Sequence, residues 1–409
     1  MSKIEDLIQQ YCPEGVEYVP LGDLGTIRRG NGLQKKDFVG SGVGCIHYGQ
    51  IYTKFGTFTD KTLTFVDEEL ASHLLHIEKG DLVIACTSEN VEDVCKAVVW
   101  LGDEKIVTGG HSCVFHHSQN PKYIAYFFQT EFFQQQKRKY AYGTKVIDIK
   151  PDNIGKIIIP LPPLPVQEEI VRILDTFTEL QAELQAELQA RQLQYNFYRN
   201  QLLAFEGRKD VEWKKLGDIG TISRGNGLQK KDFTESGVGC IHYGQIYTKY
   251  GAYTDKTLTY VDEALASKLL QVEKGNLVIA CTSENVEDIC KCVAWLGEDN
   301  ICTGGHACVL RHKQNPKYIS YFFQTEQFFK QKKKYVYGTK VMDIKPDNIA
   351  KIEIPIPSLE EQDRIVSILD KLYTLTTDLS QGLPAEIEAR RQQYEYYRDQ
   401  LLTFKRKQA

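Results

Sequence analysis

The sequence predicts an α+β protein with two duplicated globular α/β domains, separated by long helices that form an antiparallel coiled coil with pseudo-twofold symmetry. Three observations predict it: an internal repeat that spans most of the chain, short glycine-punctuated strand patterns in each copy, and a helical apolar repeat after each copy. The 409 residues are 25% charged and 42% apolar, which is ordinary globular composition.

The internal repeat is the dominant feature. LGDLGTIRRGNGLQKKDF begins at Leu21 and recurs as LGDIGTISRGNGLQKKDF at Leu216, an offset of 195 positions. Roughly three positions in four are identical over the globular part. The copies align again at an offset of 199, where QYNFYRNQLLAF ends at Phe205 and QYEYYRDQLLTF ends at Phe404. We therefore expect two globular domains, at residues 1–160 and 207–355. Each is followed by a helical segment, at residues 161–206 and 356–409.

Each globular copy contains short strands and one helix. Residues 45–52 and 81–87 are predicted strands. A helix is predicted over 121–140, because Pro121 suits a first helical turn and apolar residues recur at helical spacing. The copy ends in KIIIPLPPLP (156–165), where a short strand followed by prolines predicts a hinge.

The helical segments predict a long coiled coil. Apolar residues from 166 to 205 follow a three/four alternation, and the tetrapeptide ELQA occurs three times over Glu179–Ala190. Such a helix of about 60 Å needs a partner of similar length, and 359–404 is the candidate. That second segment is interrupted, with Gly382 predicted as a helix C-cap and Pro384 in the first turn of the next helix.

Charge and cysteine content narrow the class of protein. A formal net charge of −4 excludes a histone-like binder but permits localised basic patches. No apolar run approaches the ~20 residues of a membrane helix, and the polar N-terminus is not a signal peptide, so we expect no membrane association and a cytoplasmic protein. Eleven cysteines without a CxxC pair predict buried reduced thiols rather than a disulfide framework or a metal site.

Basic loops rich in amides, glycines and aromatics are candidates for nucleic-acid contact. RGNGLQKK and HYGQIYTK supply side chains that pair with base edges, and KRKYAYGTKV and KKKYVYGTKV place three cations before a Tyr-rich turn. The cations at the helix end could instead be a solvated terminus. The expected DNA-binding residues are Arg29, Asn31, Gln34, Lys35, Lys36, Lys54, Lys137, Arg138, Lys139, Tyr142, Lys145, Arg224, Asn226, Gln229, Lys230, Lys231, Lys249, Lys332, Lys333, Lys334, Tyr337 and Lys340.

Catalytic motifs are not found in the sequence. It contains no GxxxxGK[ST] loop, no complete GxGxxG and no Asn-Pro-Pro-aromatic tetrapeptide. The PDNI sequences at Pro151 and Pro346 resemble the start of a nuclease site, but no acidic-x-Lys follows in the first copy. We expect no catalytic residues and no metal ligands on this chain.

The order of segments resembles the specificity (S) subunit of type I restriction–modification enzymes. The marks are the paired IPLPPLPVQEEIVRILD and IPIPSLEEQDRIVSILD segments and the paired QYxxYRxQLLxF ends. The resemblance implies that each globular domain is a target-recognition domain for half of a split site on double-stranded DNA. It implies helical spacers that dock methyltransferase (M) subunits, expected to number two, with restriction (R) subunits as further partners. S-adenosylmethionine, ATP and Mg are then expected on the partners, and no cofactor on this chain.

The near identity of the copies predicts equal half-sites in opposite orientation, hence a palindromic site with an unspecified gap. His116, Ser118 and Gln135 become Arg311, Lys313 and Lys330, which predicts stronger phosphate contact by the second copy. Three alternatives stay open: a self-contained DNA nuclease or methyltransferase, a tandem-domain non-DNA binding or scaffold protein on a coiled-coil stalk, and the S subunit of a methylation-only complex.

Overall fold

The computed structural model describes residues 3–378 and 380–408. The chain divides into two units. Unit 1 runs from the N-terminus to Glu183 and resumes at Glu388, and unit 2 spans Leu184–Ile387. Each unit therefore contains one globular repeat, half of the long central helix and helical residues from the C-terminal segment.

The described residues of unit 1 form thirteen short strands and seven short α-helices, and the long helix α8 begins in it. The strands are β1 (Glu17–Pro20), β2 (Gly25–Arg29), β3 (Val43–Ile46), β4 (Phe58–Thr59), β5 (Thr64–Val66), β6 (Leu75–Ile77), β7 (Leu82–Ala85), β8 (Thr87–Ser88), β9 (Ala97–Trp100), β10 (Ile106–Thr108), β11 (Ser112–His117), β12 (Ile147–Asp148) and β13 (Ile158–Leu161). The helices are α1 (Lys3–Tyr11), α2 (Leu21–Leu24), α3 (Tyr48–Thr53), α4 (Glu68–His73), α5 (Pro121–Phe127), α6 (Glu131–Lys137), α7 (Pro151–Gly155) and α8 (Leu164–Leu202).

Unit 2 repeats this order. Its strands are β14 (Glu212–Lys215), β15 (Gly220–Arg224), β16 (Val238–Ile241), β17 (Tyr253–Thr254), β18 (Thr259–Val261), β19 (Leu270–Val272), β20 (Leu277–Ala280), β21 (Thr282–Ser283), β22 (Cys292–Trp295), β23 (Ile301–Thr303), β24 (Ala307–His312), β25 (Met342–Asp343) and β26 (Glu353–Ile356). Its helices are α9 (Leu216–Ile219), α10 (Tyr243–Thr248), α11 (Glu263–Ala266), α12 (Pro316–Phe322), α13 (Glu326–Lys332), α14 (Pro346–Ile349) and α15 (Leu359–Thr377); α16 (Leu383–Leu401) begins here and ends in unit 1.

The same two main sheets form in both units. In unit 1, a five-stranded sheet has the order β2-β11-β7-β9-β4 and a four-stranded sheet the order β5-β3-β10-β6. Pairing is antiparallel except between β4 and β9 and between β10 and β3. Unit 2 has the equivalent orders β15-β24-β20-β22-β17 and β18-β16-β23-β19. The duplicated α/β architecture predicted from the sequence is confirmed.

The central strand β7 shows how the core is built. Its four residues are all buried, and alternate side chains point to opposite faces. Leu82 and Ile84 pack in the cluster that contains Tyr123 and Phe127 of α5. The intervening residues, Val83 among them, pack on the other face in a separate cluster. Burial on both faces explains why this strand is a continuous apolar run rather than an alternating one.

Helix α8 is one continuous helix of 39 residues, as predicted. Within unit 1, Phe177 of α8 stacks on Tyr397 of α16 with ring centroids 5.6 Å apart. Within unit 2, Tyr195 of α8 lies 5.9 Å from Tyr373 of α15. Both halves of α8 therefore pack on C-terminal helical residues through aromatic side chains.

Each globular part is also attached to its own helix. In unit 1, Asp175 of α8 accepts hydrogen bonds from Tyr126 (2.6 Å) and Lys122 (2.7 Å) of α5. In unit 2, Asp370 of α15 accepts the equivalent bonds from α12. The aspartate of each IVxILD segment thus connects the globular part to the helix that follows it.

Three local predictions are corrected by the structure. Only residues 45 and 46 of the predicted strand at 45–52 belong to a strand, β3, because His47 caps α3 by accepting a hydrogen bond from Gly49 N at 3.2 Å. The predicted helix 121–140 is two helices, because Thr130 caps α6 through Phe133 N. Helix α15 ends at Thr377 with Asp378 as its C-cap, so Gly382 precedes α16 rather than capping α15.

One pair of cysteines lies on neighbouring segments of the main sheet in each unit. Cys86 and Cys113 are joined by a disulfide, with Cα atoms 6.3 Å apart, which corrects the expectation of reduced thiols for this pair. The two cysteines lie close together because Cys86 follows β7 directly and Cys113 lies on the adjacent strand β11, and Cys281 and Cys308 are placed in the same way in unit 2. The equivalent Cys281 and Cys308 are free, and the other free cysteines of the described chain are buried as well.

Candidate nucleic-acid interface

Five loop segments of unit 1 converge at one site, and each is identical in unit 2. They are connected by the hydrogen bonds and ring contacts described below. The segments are 29–38, 41–54, 86–93, 108–111 and 142–146, with counterparts 224–233, 236–249, 281–288, 303–306 and 337–341. We call each set the loop cluster of its unit.

Arg29 ties its own segment to the segment that contains Gly110 and to β12, the strand that directly follows the fifth segment. Its guanidinium donates to both carboxylate oxygens of Asp148, at 2.9 and 2.7 Å, and Nε donates to the carbonyl of Gly110 at 2.8 Å. Arg224 does the same with Asp343 and Gly305. The hydrogen bonds to Asp148 raise the pKa of Arg29. These arginines are thus held by carboxylates and remain partly exposed, and their predicted contact with DNA stays a prediction.

The RGNG turn is held by close backbone packing. A Cβ at Gly30 would lie 2.4 Å from the carbonyl oxygen of Gly109, so only glycine permits this approach. Leu33 has a left-handed φ of 51° and is buried with Leu74 and Val107. The turn is therefore anchored at both ends, which fixes the position of the exposed residues between them.

An imidazole and phenol cluster lies beside this turn. The ring of Tyr48 is 4.5 Å from that of His47 and 4.8 Å from that of His111. His111 Nδ1 lies 2.9 Å from the hydroxyl of Thr87. The same contacts recur in unit 2, where the Tyr243 ring lies 4.8 Å from the His306 ring. The cluster offers ring faces for stacking and an exposed imidazole for hydrogen bonding.

The two histidines of this cluster differ in environment. His47 is buried, and burial, with the nearby charge of Lys35, lowers its pKa, so it is neutral near pH 7. His111 is exposed. Only the exposed ring is placed to contact a ligand directly.

Most of the predicted contact residues are on the surface. Asn31 is fixed by a hydrogen bond from Nδ2 to the carbonyl of His73 at 3.0 Å. The exposed members of the predicted set are Asn31, Gln34, Lys35, Lys36, Lys54, Arg138, Lys139, Tyr142 and Lys145, with Asn226, Gln229, Lys230, Lys231, Lys249, Lys333, Lys334, Tyr337 and Lys340.

Lys137 and Lys332 are not on the surface, which corrects the prediction that they contact phosphate. Lys137 is 1% exposed, and its ammonium donates to the carbonyls of Glu92 and Val94, each at 2.7 Å. Lys332 makes the equivalent bonds to the carbonyls of Glu287 and Ile289. Burial lowers the pKa of Lys137 to about 8. These lysines hold the segment after β8 or β21 against the short helix that carries them.

The Tyr-rich turn is a small hairpin. Backbone hydrogen bonds join Tyr142 and Asp148 in both directions, and Gly143 takes a φ of 113°. The phenol of Tyr142 donates to Asp148 at 3.2 Å, the same carboxylate that holds Arg29. The hairpin tip, including Lys145, is exposed and is thereby coupled to the RGNG turn.

Sequence reasoning missed the imidazole and phenol cluster. Tyr48, Thr87 and His111 come from three separate segments, and nothing in their spacing predicts contact. The sequence feature that could have revealed these residues is that whole segments are identical in the two copies. The substitutions between the copies fall outside the loop clusters. One such exchange replaces the His116–Asp81 pair, 2.7 Å apart, by Arg311 and Asn276.

Among the described residues, no group of three or more His, Cys, Asp or Glu side chains is arranged to hold a metal ion. No described helix is both long and apolar enough to cross a membrane.

Comparison with known proteins gives a consistent result. The sequence profile described as "Type I restriction modification DNA specificity domain" matches twice, at residues 13–191 and 208–389. The chain is 36% identical over 301 residues to the specificity subunit of a type I restriction enzyme of Escherichia coli, covering 69% of this chain and 70% of the relative. It is 33% identical over 266 residues to a putative type I restriction enzyme specificity subunit of Haemophilus influenzae, covering 61% and 65%.

Solved structures share the fold. A chain from a study of complex assembly and conformational transition of the type I restriction–modification system matches with a TM-score of 0.66 and 15% identity, covering 95% of this chain and 97% of that one. The S subunit of a type I system from M. genitalium matches with a TM-score of 0.50 and 15% identity, covering 95% and 96%.

Proposed function

Because this chain belongs to the type I restriction–modification DNA specificity family, we propose that it selects the DNA sequence for a multisubunit modification and restriction complex and itself catalyses nothing. The globular domains at 1–160 and 207–355 each read one half of a bipartite site. The helical segments at 161–206 and 356–409 pair in antiparallel fashion about an approximate twofold axis and set the distance between the halves. The observation that carries the proposal is the loop cluster, repeated residue for residue in two units.

The residues of the loop cluster suit two kinds of contact with DNA. Lys35, Lys36 and Lys54 are exposed cations that suit phosphate, which positions a protein on DNA without reading sequence. Asn31, Gln34 and His111 carry groups that hydrogen-bond to base edges. We assign Arg29 and Asp148 a positioning role, since three N–H groups of the guanidinium already bond to Asp148 and Gly110.

Identical readers favour a palindrome. Two equal readers related by a twofold axis meet the two DNA strands in the same way, so they read the same half-site in opposite orientation. The second reader, with Arg311, Lys313 and Lys330 in place of neutral or weakly basic residues, holds phosphate more tightly. This changes affinity more than sequence preference.

The partners supply the chemistry. M subunits, two in number, bind S-adenosylmethionine and methylate adenine in the selected site, and R subunits add ATP- and Mg-dependent cleavage. The alternative that this chain serves a methylation-only complex differs only in whether R subunits join. In either case the complex acts in the cytoplasm.

We assign exposed aromatic residues on the helices as the docking points for the M subunits. Phe197 of α8 and Tyr396 of α16 are each 62% exposed, and they occupy equivalent positions in the two copies. Exposed aromatic residues are typical of protein interfaces. Two equivalent aromatic positions, one on each helix, match two identical partners. Phe197→Ala with Tyr396→Ala should weaken M-subunit binding, whereas Gln192→Ala with Arg391→Ala on the same helices should have a smaller effect.

The salt dependence of DNA binding by the reconstituted complex with M subunits tests the proposal. Lys36→Ala with Lys231→Ala removes one exposed loop cation per reader, and the matched control, Lys79→Ala with Lys274→Ala, removes one exposed cation per unit elsewhere. The slope of log K against log salt should fall by about two in the first pair and stay unchanged in the control. Equal slopes in both pairs would contradict the assigned interface. Absence of salt-dependent binding altogether would favour the non-DNA scaffold protein.

A further inference from the structure

Each unit contains a cavity at the same place. In unit 1 it measures about 400 Å³ and in unit 2 about 390 Å³. Each lies between the globular part and the helix that carries the YRxQLL sequence. The arginine of that sequence, Arg398 in unit 1 and Arg199 in unit 2, lines the cavity.

In unit 1 this arginine has a carboxylate partner. Arg398 donates from Nε to Asp399 at 3.0 Å, and Nη2 lies 2.9 Å from the same carboxylate. Its guanidinium also lies over the ring of Tyr394, as that of Arg199 lies over the ring of Tyr195, so the carboxylate is what sets unit 1 apart. The charge is therefore compensated within the unit.

In unit 2 the corresponding acid is missing. The residue after Arg199 is Asn200, and its side-chain oxygen accepts a bond from Glu326 N at 3.3 Å. Arg199 is 9% exposed, and its Nη1 makes a long bond of 3.3 Å to the amide oxygen of Gln324. Among the described residues its Nε is buried without a hydrogen-bond partner.

A buried guanidinium without an anion is unfavourable, because it has lost its hydration and gained no opposite charge. We propose that the cavity of unit 2 binds an oxyanion, a carboxylate or a phosphate, through Arg199. A planar guanidinium recognises such groups with two parallel N–H donors. In unit 1 the guanidinium of Arg398 already has a carboxylate partner in Asp399, so no added anion is needed there.

The other charged side chains around the cavity do not replace this anion. Lys332 donates to two backbone carbonyls, and Lys291 is paired with Asp288 at 2.7 Å. Glu287 borders the cavity but is exposed, and the same glutamate is present in unit 1 as Glu92. It therefore cannot account for the difference between the units.

The full chain, labelled with ¹⁵N at arginine, gives a direct test by NMR of the side-chain Nε–H signals. Arg199→Lys identifies the Arg199 signal by its loss. Inorganic phosphate and acetate, at constant ionic strength against chloride, should shift that signal saturably. Asn200→Asp places the carboxylate of unit 1 in unit 2 and should abolish the response.

The reciprocal variant is the matched control. Asp399→Asn removes the internal carboxylate of unit 1 and should create a second responsive signal, from Arg398. A response of Arg199 that is absent in the wild-type chain, or that persists unchanged in Asn200→Asp, overturns the proposal.

The assembled complex distinguishes two sources of the oxyanion. If a carboxylate of an M subunit occupies the cavity, the Arg199 signal in the complex lies at its bound position before any anion is added. If the ligand is a free anion, the signal in the complex still responds to phosphate. The outcome for Arg199 is independent of DNA recognition, so it stands apart from the test of the proposed function.

Discussion

The guanidinium of Arg29 and the carboxylate of Asp148 form a two-point ion pair, 119 residues apart in sequence, that connects the RGNG turn to the Tyr-rich hairpin. Arg224 and Asp343 form the same pair in unit 2. Both side chains are partly exposed, so the pair contributes modestly to stability. Its larger effect is on the position of the loops that carry the reading groups.

Asp148→Asn should therefore weaken DNA binding more than it weakens the fold. Loss of the carboxylate removes the charge that orients Arg29 and frees the hairpin that carries Lys145. We expect the affinity of the assembled complex for its target to fall about tenfold, equivalent to about 1.4 kcal/mol, as measured by fluorescence anisotropy. Asp103→Asn, an exposed aspartate paired with Lys79, is the control and should change affinity little. Equal losses in both variants would argue against a positioning role.

The exposed histidines of the two loop clusters predict matching effects on base preference in the two half-sites. His111→Ala should relax base preference at one position of one half-site, and His306→Ala at the symmetric position of the other. The physical reason is that each imidazole lies in an identical environment, beside Tyr48 or Tyr243. Binding to a panel of targets with single base changes measures this. Relaxation at unrelated positions in the two variants would contradict equal reading.

We expect the ELQA repeats to set the length of the unspecified spacer between the two half-sites. Deletion of Glu183–Ala186 removes four residues and shortens α8 by about 6 Å, against ~3.4 Å per base pair. The unspecified spacer should shrink by one or two base pairs while both half-sites stay the same. Replacement of the same four residues by alanine preserves helix length and should leave the spacer unchanged. An unaltered spacer in the deletion variant would contradict the claim that the length of α8 sets the spacer.

Glu169 links α1 to α8 and gives a pH prediction for stability. It accepts hydrogen bonds from Arg172 (2.7 Å) and Lys3 (2.6 Å), and these, the bonds from Arg172 foremost, lower the pKa of Glu169 to about 2. A depressed carboxyl pKa means that the stabilisation is fully present above the ordinary value of 4.5 and is lost as the pH falls toward 2.

Glu169→Gln should accordingly destabilise unit 1 by about 1 kcal/mol at pH 7, and the difference from wild type should shrink between pH 4.5 and 2. Urea unfolding of the two proteins at a series of pH values measures this. Glu168→Gln changes the exposed neighbouring glutamate and should have little effect. A constant difference across that pH range would show that the charge of Glu169 is not the cause.

The repeat, the long helix and the duplicated α/β architecture were predictable from the sequence because each rests on a local pattern repeated over many residues. The break between α5 and α6 was not, because Phe128–Thr130 keep the apolar spacing of a helix while Thr130 caps a new one. The helix that begins at Tyr48 was missed because histidine is an unusual cap and the sequence around it is strand-like.

The interface was predictable in outline and not in detail. Exposure of Lys35, Lys36 and Arg138 follows from their charge and their position in turns. The burial of Lys137 depends on two carbonyls more than 40 residues away in sequence, and the pairing of Arg29 depends on an aspartate 119 residues away. Contacts between segments so far apart leave no mark in the local sequence.

Sequencing of methylated DNA at single-molecule resolution, in cells that express this chain with its M subunit, tests the central claim most directly. Two equal readers predict a gapped palindrome with N6-methyladenine on both strands. A gapped motif with two unrelated halves would contradict equal reading and place base selection in the few residues that differ between the units. No new methylated motif would contradict the assignment of DNA selection to this chain.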